Sequence, residues 1–105
     1  MGDDVVSNKP AGLPLKTVVM VLHEPARWRL LRELIKGEAL PVGELARRIG
    51  MKAPLVSKHM NVLRRAGLAM HTYGQLYRLS PRLKPEADGQ RLDLGPCVLK
   101  FDALG

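Results

Sequence analysis

Residues 40–68, LPVGELARRIGMKAPLVSKHMNVLRRAGL, decide the fold of this chain. Apolar residues recur in this stretch at spacings of three and four, which predicts two short amphipathic helices joined by a tight turn. Gly50 is placed to end the first helix, because glycine tolerates the left-handed conformation that satisfies the last carbonyl groups. Pro54 is placed to begin the second helix, since its fixed φ and missing N–H suit the first helical position. Gly67 stops it.

The second predicted helix combines a buried stripe with a basic outer face. Its stripe is formed by Val56, Met60 and Leu63, and no acidic residue occurs from residue 52 to residue 67. A helix that faces only solvent more often carries both charge signs and forms i,i+4 ion pairs. A short helix, a tight turn and a basic second helix therefore predict a helix-turn-helix.

The positive charge of the chain is concentrated around this helix pair. The 105 residues carry a formal net charge of +7. Residues 41–84 hold nine Lys and Arg side chains and one acidic residue, Glu44, so that the rest of the chain is close to neutral. Such a concentration is typical of a nucleic-acid binder. The alternative is a generally basic, solvated surface. That alternative does not explain why the positive charge falls in the same segment as the helix pair.

Composition and length predict a single soluble domain with tails. The apolar share is 46%, enough for a core, but aromatic residues are few, and domains of this size often gain burial by dimerising. No apolar run approaches the roughly 18 residues of a membrane span, and residues 1–14 lack the features of a signal peptide. We therefore expect a cytoplasmic protein. The single cysteine, Cys97, excludes an internal disulfide framework.

Other segments predict shorter elements. Residues 1–12 are polar and are predicted to form a flexible N-terminal tail. Periodicity leaves residues 15–23 open between strand and helix, and β-branched residues there favour a strand. A helix is predicted from Pro25, with Trp28 as a core anchor, and Gly37 closes it.

The segments after residue 67 favour extended structure. Residues 68–72 and 75–79 are predicted to pair as a hairpin around Tyr73-Gly74. Residues 85–90 look like a polar link, and a strand is predicted on each side of the Gly95-Pro96 break.

Three segments together resemble the ArsR-like family of winged helix-turn-helix repressors. They are LHEPARWRLLRELI at 22–35, VGELARRIGMKAPLVSKHMNVLRRAGL at 42–68 and YRLSP at 77–81. The string SKHMNVLRRAGL, followed at short distance by YRL, is the most specific part. The resemblance covers residues 15 to 84 approximately.

The resemblance implies a fold that is mainly α with a small β-hairpin wing (α+β). It implies a winged helix-turn-helix domain over residues 13–84 and a first helix, around residues 15–23, that contributes to a dimer interface. The family's long C-terminal dimerisation helix has no counterpart. Residues 85–105 are instead expected to be a C-terminal extended segment that packs on the domain or on the dimer partner.

The second helix of the pair is expected to lie in the major groove of double-stranded DNA. Lys58 can donate to guanine, and Ser57 to a base or a phosphate; Arg64 and Arg65 suit phosphates. The wing, whose tip is shorter than the family's, is expected to contact the backbone or the minor groove. The candidate DNA-binding residues are Lys52, Ala53, Pro54, Ser57, Lys58, Asn61, Arg64, Arg65, Arg47, Arg48, Thr72, Tyr73 and Gln75.

A metal site is not expected. Metal-sensing relatives carry a Cys-x-Cys box where this chain has Pro41 and Gly43, and their second site needs the C-terminal helix. We therefore predict no metal and no cofactor. Cys97 is interpreted first as a small buried hydrophobe, with a redox role by intersubunit disulfide as the alternative. For His59 the resemblance implies a partly buried residue that supports the helix or touches phosphate, rather than a metal ligand.

These features predict a sequence-specific transcriptional regulator, a repressor by resemblance, that binds a two-fold symmetric operator as a homodimer. No catalytic constellation is apparent, so an enzyme is not expected. Two alternatives stay open: a winged-helix module for protein–protein interaction, and a nonspecific architectural DNA-binding protein.

Overall fold

A computed structural model describes residues 13–86 and 89–101. Four helices lead into two β-hairpins, and the predicted tail at residues 1–12 lies outside the described residues. The helices are α1 (Leu15–Leu22), α2 (Pro25–Leu34), α3 (Val42–Ile49) and α4 (Ala53–Arg65), and the strands are β1 (Ala69–Thr72), β2 (Leu76–Leu79), β3 (Arg91–Asp93) and β4 (Val98–Lys100).

The predicted helix pair is confirmed as α3 and α4. Val56, Met60 and Leu63 are fully buried. Gly50 follows α3 in the left-handed conformation, with φ 70°, and the N–H of the next residue donates to the Ala46 carbonyl at 3.1 Å. A left-handed glycine turns the chain sharply while it satisfies a terminal carbonyl of the helix. This turn sets the angle between the two helices.

The predicted start of α4 was wrong by one residue. Ala53 is the first helical residue and Pro54 the second, while Lys52 has the extended conformation of an N-cap. Proline is tolerated at the second position for the same reason as at the first, because neither N–H has a partner inside the helix. At the other end Ala66 is the C-cap, and Gly67 has a φ of +88°.

The segment that periodicity left open is a helix, α1. Its two last carbonyls accept hydrogen bonds from side chains of α2: Arg27 Nη1 donates to the Val21 oxygen and Trp28 Nε1 to the Leu22 oxygen, both at 2.8 Å. The last carbonyls of a helix have no partner within it, and a helix of eight residues is marginal alone. These two donors, together with the burial of Val18, Val21 and Leu22, stabilise α1 as a helix despite its β-branched residues.

Trp28→Phe is expected to lower the free energy of unfolding by about 1–3 kcal/mol, because it removes the donor and leaves the Leu22 carbonyl without its partner. Urea unfolding followed by circular dichroism measures this. Arg29→Ala, at an exposed position on the same helix, is the control and should change stability by less than about 0.5 kcal/mol. Equal stabilities of the Trp28→Phe variant and the wild type would contradict the capping role.

The predicted hairpin is confirmed, and its loop is one residue longer than predicted. Thr72 pairs with Leu76, so the loop has three residues, and its last residue, Gln75, has a φ of 59°. Leu40 forms an isolated β-bridge to this hairpin, which the sequence did not predict: its N–H donates to the Tyr77 carbonyl at 2.8 Å, and its carbonyl accepts from the Tyr77 N–H at 2.7 Å. This bridge fixes the start of α3 against the hairpin.

The two C-terminal strands are confirmed and pair with each other around the Gly95-Pro96 turn. The predicted polar link is not wholly free, since Pro85 bridges Leu92. Leu92 and Phe101 are almost fully buried in the same core as the helices. Phe101 meets Trp28 edge-on, with ring centroids 6.0 Å apart.

Candidate nucleic-acid interface

The outer face of α4 is basic and free of carboxylates. Lys52, Lys58, Arg64 and Arg65 are all exposed there. Lys58 and Arg65 have no ion pair within the described part of the chain, and Arg64 reaches only the amide oxygen of Asn61, at 3.4 Å. Unpaired surface cations on one helix can neutralise phosphates without first breaking an internal ion pair.

The predicted contact residues in the N-terminal turn of α4 differ in how exposed they are. Pro54 is exposed, as is its neighbour Leu55, and both offer apolar surface at the end of the helix that a major groove would meet. Ala53 is half-buried and packs against the core. Ser57 is partly exposed and lies one position before Lys58.

The two arginines of α3 are paired with acidic residues. Arg47 and Arg48 both donate to the Glu44 carboxylate, with Arg48 Nε 2.8 Å from Oε2. Arg48 also reaches Glu33 at 3.4 Å and Glu38 at 3.3 Å. Its side chain is 25% exposed, against 71% for Arg47. The structure therefore holds Arg48 against three carboxylates, whereas Arg47 is attached to one and faces water.

Hydrogen bonds from Arg47, which has the largest effect, and from Arg48 lower the pKa of Glu44 to about 2. The carboxylate is therefore charged throughout the neutral range, and it cancels part of the positive charge that α3 contributes. The cations of α4, in contrast, have no carboxylate in the described residues that cancels their charge.

The wing presents an aromatic tip. Tyr73 is 98% exposed at the end of the hairpin, and exposed Gln75 is next to it in the loop. Thr72 is partly exposed, and its hydroxyl donates weakly to its neighbour's carbonyl at 3.4 Å. Behind the tip, the rings of His71 and Tyr77 pack against each other across the strands, tilted by 38° and with centroids 4.3 Å apart, which stiffens the short hairpin.

Cys97 is partly buried beside an apolar groove. Burial, with a smaller effect of Asp93, raises the pKa of the thiol, so the reactive thiolate is disfavoured at neutral pH. Within residues 13–86 and 89–101, no group of three or more His, Cys, Asp or Glu side chains is arranged to hold a metal ion.

Residues 21–72 match a family model described as a helix-turn-helix domain. The match runs from the end of α1 to the end of β1, and so includes α3, the turn at Gly50 and α4. The chain contains a helix-turn-helix domain. This domain family occurs in ArsR-type regulators, although the match is not to the narrower ArsR family itself.

The helix-turn-helix domain, with its adjoining hairpin, confirms the predicted α+β winged-helix fold. A domain of this type indicates DNA binding and a role in transcription regulation. No curated protein matches the chain closely enough to refine that statement. None of the helices in the described segments is long and apolar enough to cross a membrane.

Proposed function

We propose that this protein is a sequence-specific transcription regulator, acting as a repressor in the cytoplasm, that inserts α4 into the major groove of DNA. The observation that carries the proposal is the outer face of α4. Its cations have no carboxylate partner in the described structure, and it lies on the second helix of a helix-turn-helix domain, where DNA is read.

The contacts fall into three groups by chemistry. Lys58 and Ser57 offer donors to base edges, and the apolar N-terminal turn of α4 can meet a thymine methyl group. Flanking cations hold phosphates, and the wing contacts the DNA backbone or the minor groove. The proposed contact residues are Lys52, Ala53, Pro54, Ser57, Lys58, Asn61, Arg64 and Arg65 in α4, Arg47 and Arg48 in α3, and Thr72, Tyr73 and Gln75 in the wing.

The two arginines of α3 are the weakest members of this set. Arg47, whose side chain is exposed, can exchange its one carboxylate partner for a phosphate. Arg48 would have to leave three carboxylates, and its contribution to DNA affinity is therefore expected to be small.

We further propose that two copies associate through α1 and the C-terminal hairpin. Leu15, Val19 and Met20 on α1 are 57–61% exposed, and Val98 on β4 is 48% exposed. Val19 and Val98 also border one shallow groove, which has Trp28 in its lining. Exposed apolar side chains in such a cluster are typical of interaction sites. A dimer would match an operator with two half-sites about 34 Å apart.

Replacing both Val19 and Met20 with glutamate is expected to abolish dimerisation, because the new carboxylates would be buried in the interface without partners. Sedimentation equilibrium should give twice the chain mass of 11.6 kDa for the wild type and the single mass for the variant. The exposed Lys84→Glu substitution introduces the same charge elsewhere and should leave the dimer intact. A variant that still sedimented as a dimer would place the interface elsewhere.

Salt-dependent binding to a preferred duplex and to a scrambled duplex tests the function and separates the alternatives. A regulator binds the preferred duplex about 10³-fold or more tightly, and its affinity for both falls steeply as salt rises. An architectural protein would show the same salt slope without the preference. A protein–protein interaction module would bind neither duplex, even at low salt.

A further inference from the structure

Arg27 connects three helices through one guanidinium group. It belongs to the first turn of α2. Its Nη1 donates to the Val21 carbonyl at the end of α1, at 2.8 Å, and its Nε donates to Nδ1 of His59 in the middle of α4, at 3.2 Å. Arg27 was not among the predicted DNA-binding residues, and for His59 the resemblance left open whether it supports the helix or touches phosphate. A two-helix sequence pattern does not indicate a bond that spans 32 residues.

The guanidinium of Arg27 fixes which nitrogen of His59 carries the proton. Arginine is permanently charged and can only donate, so Nδ1 must act as the acceptor and the ring proton lies on Nε2. Burial, together with the nearby charge of Arg27, lowers the pKa of His59, against a smaller opposing effect of Glu24. The imidazole is therefore neutral at neutral pH, with one N–H to donate.

The Nε2 atom of His59 is not fully buried. Every fully buried side-chain nitrogen or oxygen in the described residues has a hydrogen-bond partner, and the one side-chain hydrogen bond of His59 in those residues is made by Nδ1. Its Nε2–H therefore lies at the surface of α4, next in sequence to Lys58. A pre-oriented N–H at the flank of a recognition helix suits a phosphate oxygen.

We propose that His59 donates Nε2–H to a DNA phosphate, and that Arg27 is the positioning residue that holds the imidazole in that tautomer and orientation. The inference rests on the proposed DNA-binding function. It adds a contact of a different kind from the lysine and arginine contacts, since a neutral imidazole adds affinity without releasing a counterion.

Side-chain ¹⁵N NMR of the wild-type protein at pH 7.5 tests the tautomer without DNA or substitution. We expect His59 to be protonated on Nε2 alone. Arg27→Met should give a mixture of the two tautomers, whereas Arg27→Lys, which can still donate to Nδ1, should retain more of the Nε2–H form. A wild-type His59 protonated on Nδ1 would overturn the proposal.

DNA titrations at several salt concentrations test the contact itself. His59→Phe keeps a flat ring but has no donor, and it should weaken binding to preferred and scrambled duplexes alike by about 10-fold or more, with an unchanged salt slope. His59→Gln restores an N–H donor and should recover part of the affinity. Arg65→Ala is the positive control, because loss of a phosphate-bound cation should reduce the slope by about 1.

These variants distinguish failure of the inference from failure of the proposed function. If Arg65→Ala weakens binding and neither His59 variant does, the phosphate contact of His59 is refuted while DNA binding stands. If His59→Phe reduces the salt slope as Arg65→Ala does, the side chain acts as a cation and the neutral-donor proposal is wrong. If the wild type binds no duplex at all, the proposed function itself fails.

Discussion

Phe101→Ala is expected to lower the free energy of unfolding by about 3–5 kcal/mol, a large share of the stability of a domain this small. The ring is 1% exposed and meets the edge of Trp28. Its removal leaves a cavity between the C-terminal hairpin and α2, where apolar contacts and an aromatic pair are lost together. Chemical denaturation of the purified variant measures the change.

Lys100→Ala is the matched control for this substitution. Lys100 is the last residue of β4, immediately before Phe101, and is exposed. Its replacement should therefore change stability by less than about 0.5 kcal/mol. If Phe101→Ala were as mild as Lys100→Ala, the C-terminal hairpin would contribute little to the core. Residues 85–105 would then act as an appendage of the domain.

Lys58→Ala is expected to reduce discrimination between the preferred and scrambled duplexes by about 1–3 kcal/mol, because a bidentate donor to a guanine edge would be lost. Arg65→Ala should instead weaken both duplexes alike, since phosphates carry no sequence information. Fluorescence anisotropy with the two duplexes, each at several salt concentrations, measures both effects.

The pair of substitutions also serves as its own control. Each removes one positive charge from the exposed face of α4, so a difference between them reports position rather than charge. Equal losses on both duplexes for Lys58→Ala would remove this residue from base reading. A loss of discrimination in Arg65→Ala would extend base reading to the C-terminal end of the helix.

The helix-turn-helix was predictable because its information is local. Val56, Met60 and Leu63 recur with the period of a helix. Gly50 supplies the left-handed conformation that the turn after α3 requires. These signals agree with each other over fewer than 30 residues, so no distant contact had to be known. The start of α4 was misplaced by one residue because proline fits either of the first two positions.

Contacts between residues far apart in the sequence could not be predicted. The bridge between Leu40 and Tyr77 joins residues far apart in sequence, and a single residue in extended conformation leaves no periodic pattern. The packing of Phe101 on Trp28 is of the same kind. Each C-terminal strand was predicted from its alternation, but nothing local shows what its buried side lies against.

The charge pattern located the basic surface but not the pairing within it. Counting cations gives Arg48 the same weight as Lys58, although Arg48 is held by three carboxylates and Lys58 by none in the described structure. The acidic partners Glu33 and Glu38 lie outside the basic segment and reach it only when α2 packs beside α3. For the same reason the Arg27–His59 bond could not be predicted.

Selection of bound duplexes from a random DNA pool, with the purified protein at roughly physiological salt, tests the central claim most directly. The account predicts an inverted repeat whose half-sites lie about one helical turn apart. Retention of DNA without any consensus would contradict sequence-specific reading by α4. Failure to retain DNA even at low salt would contradict DNA binding altogether.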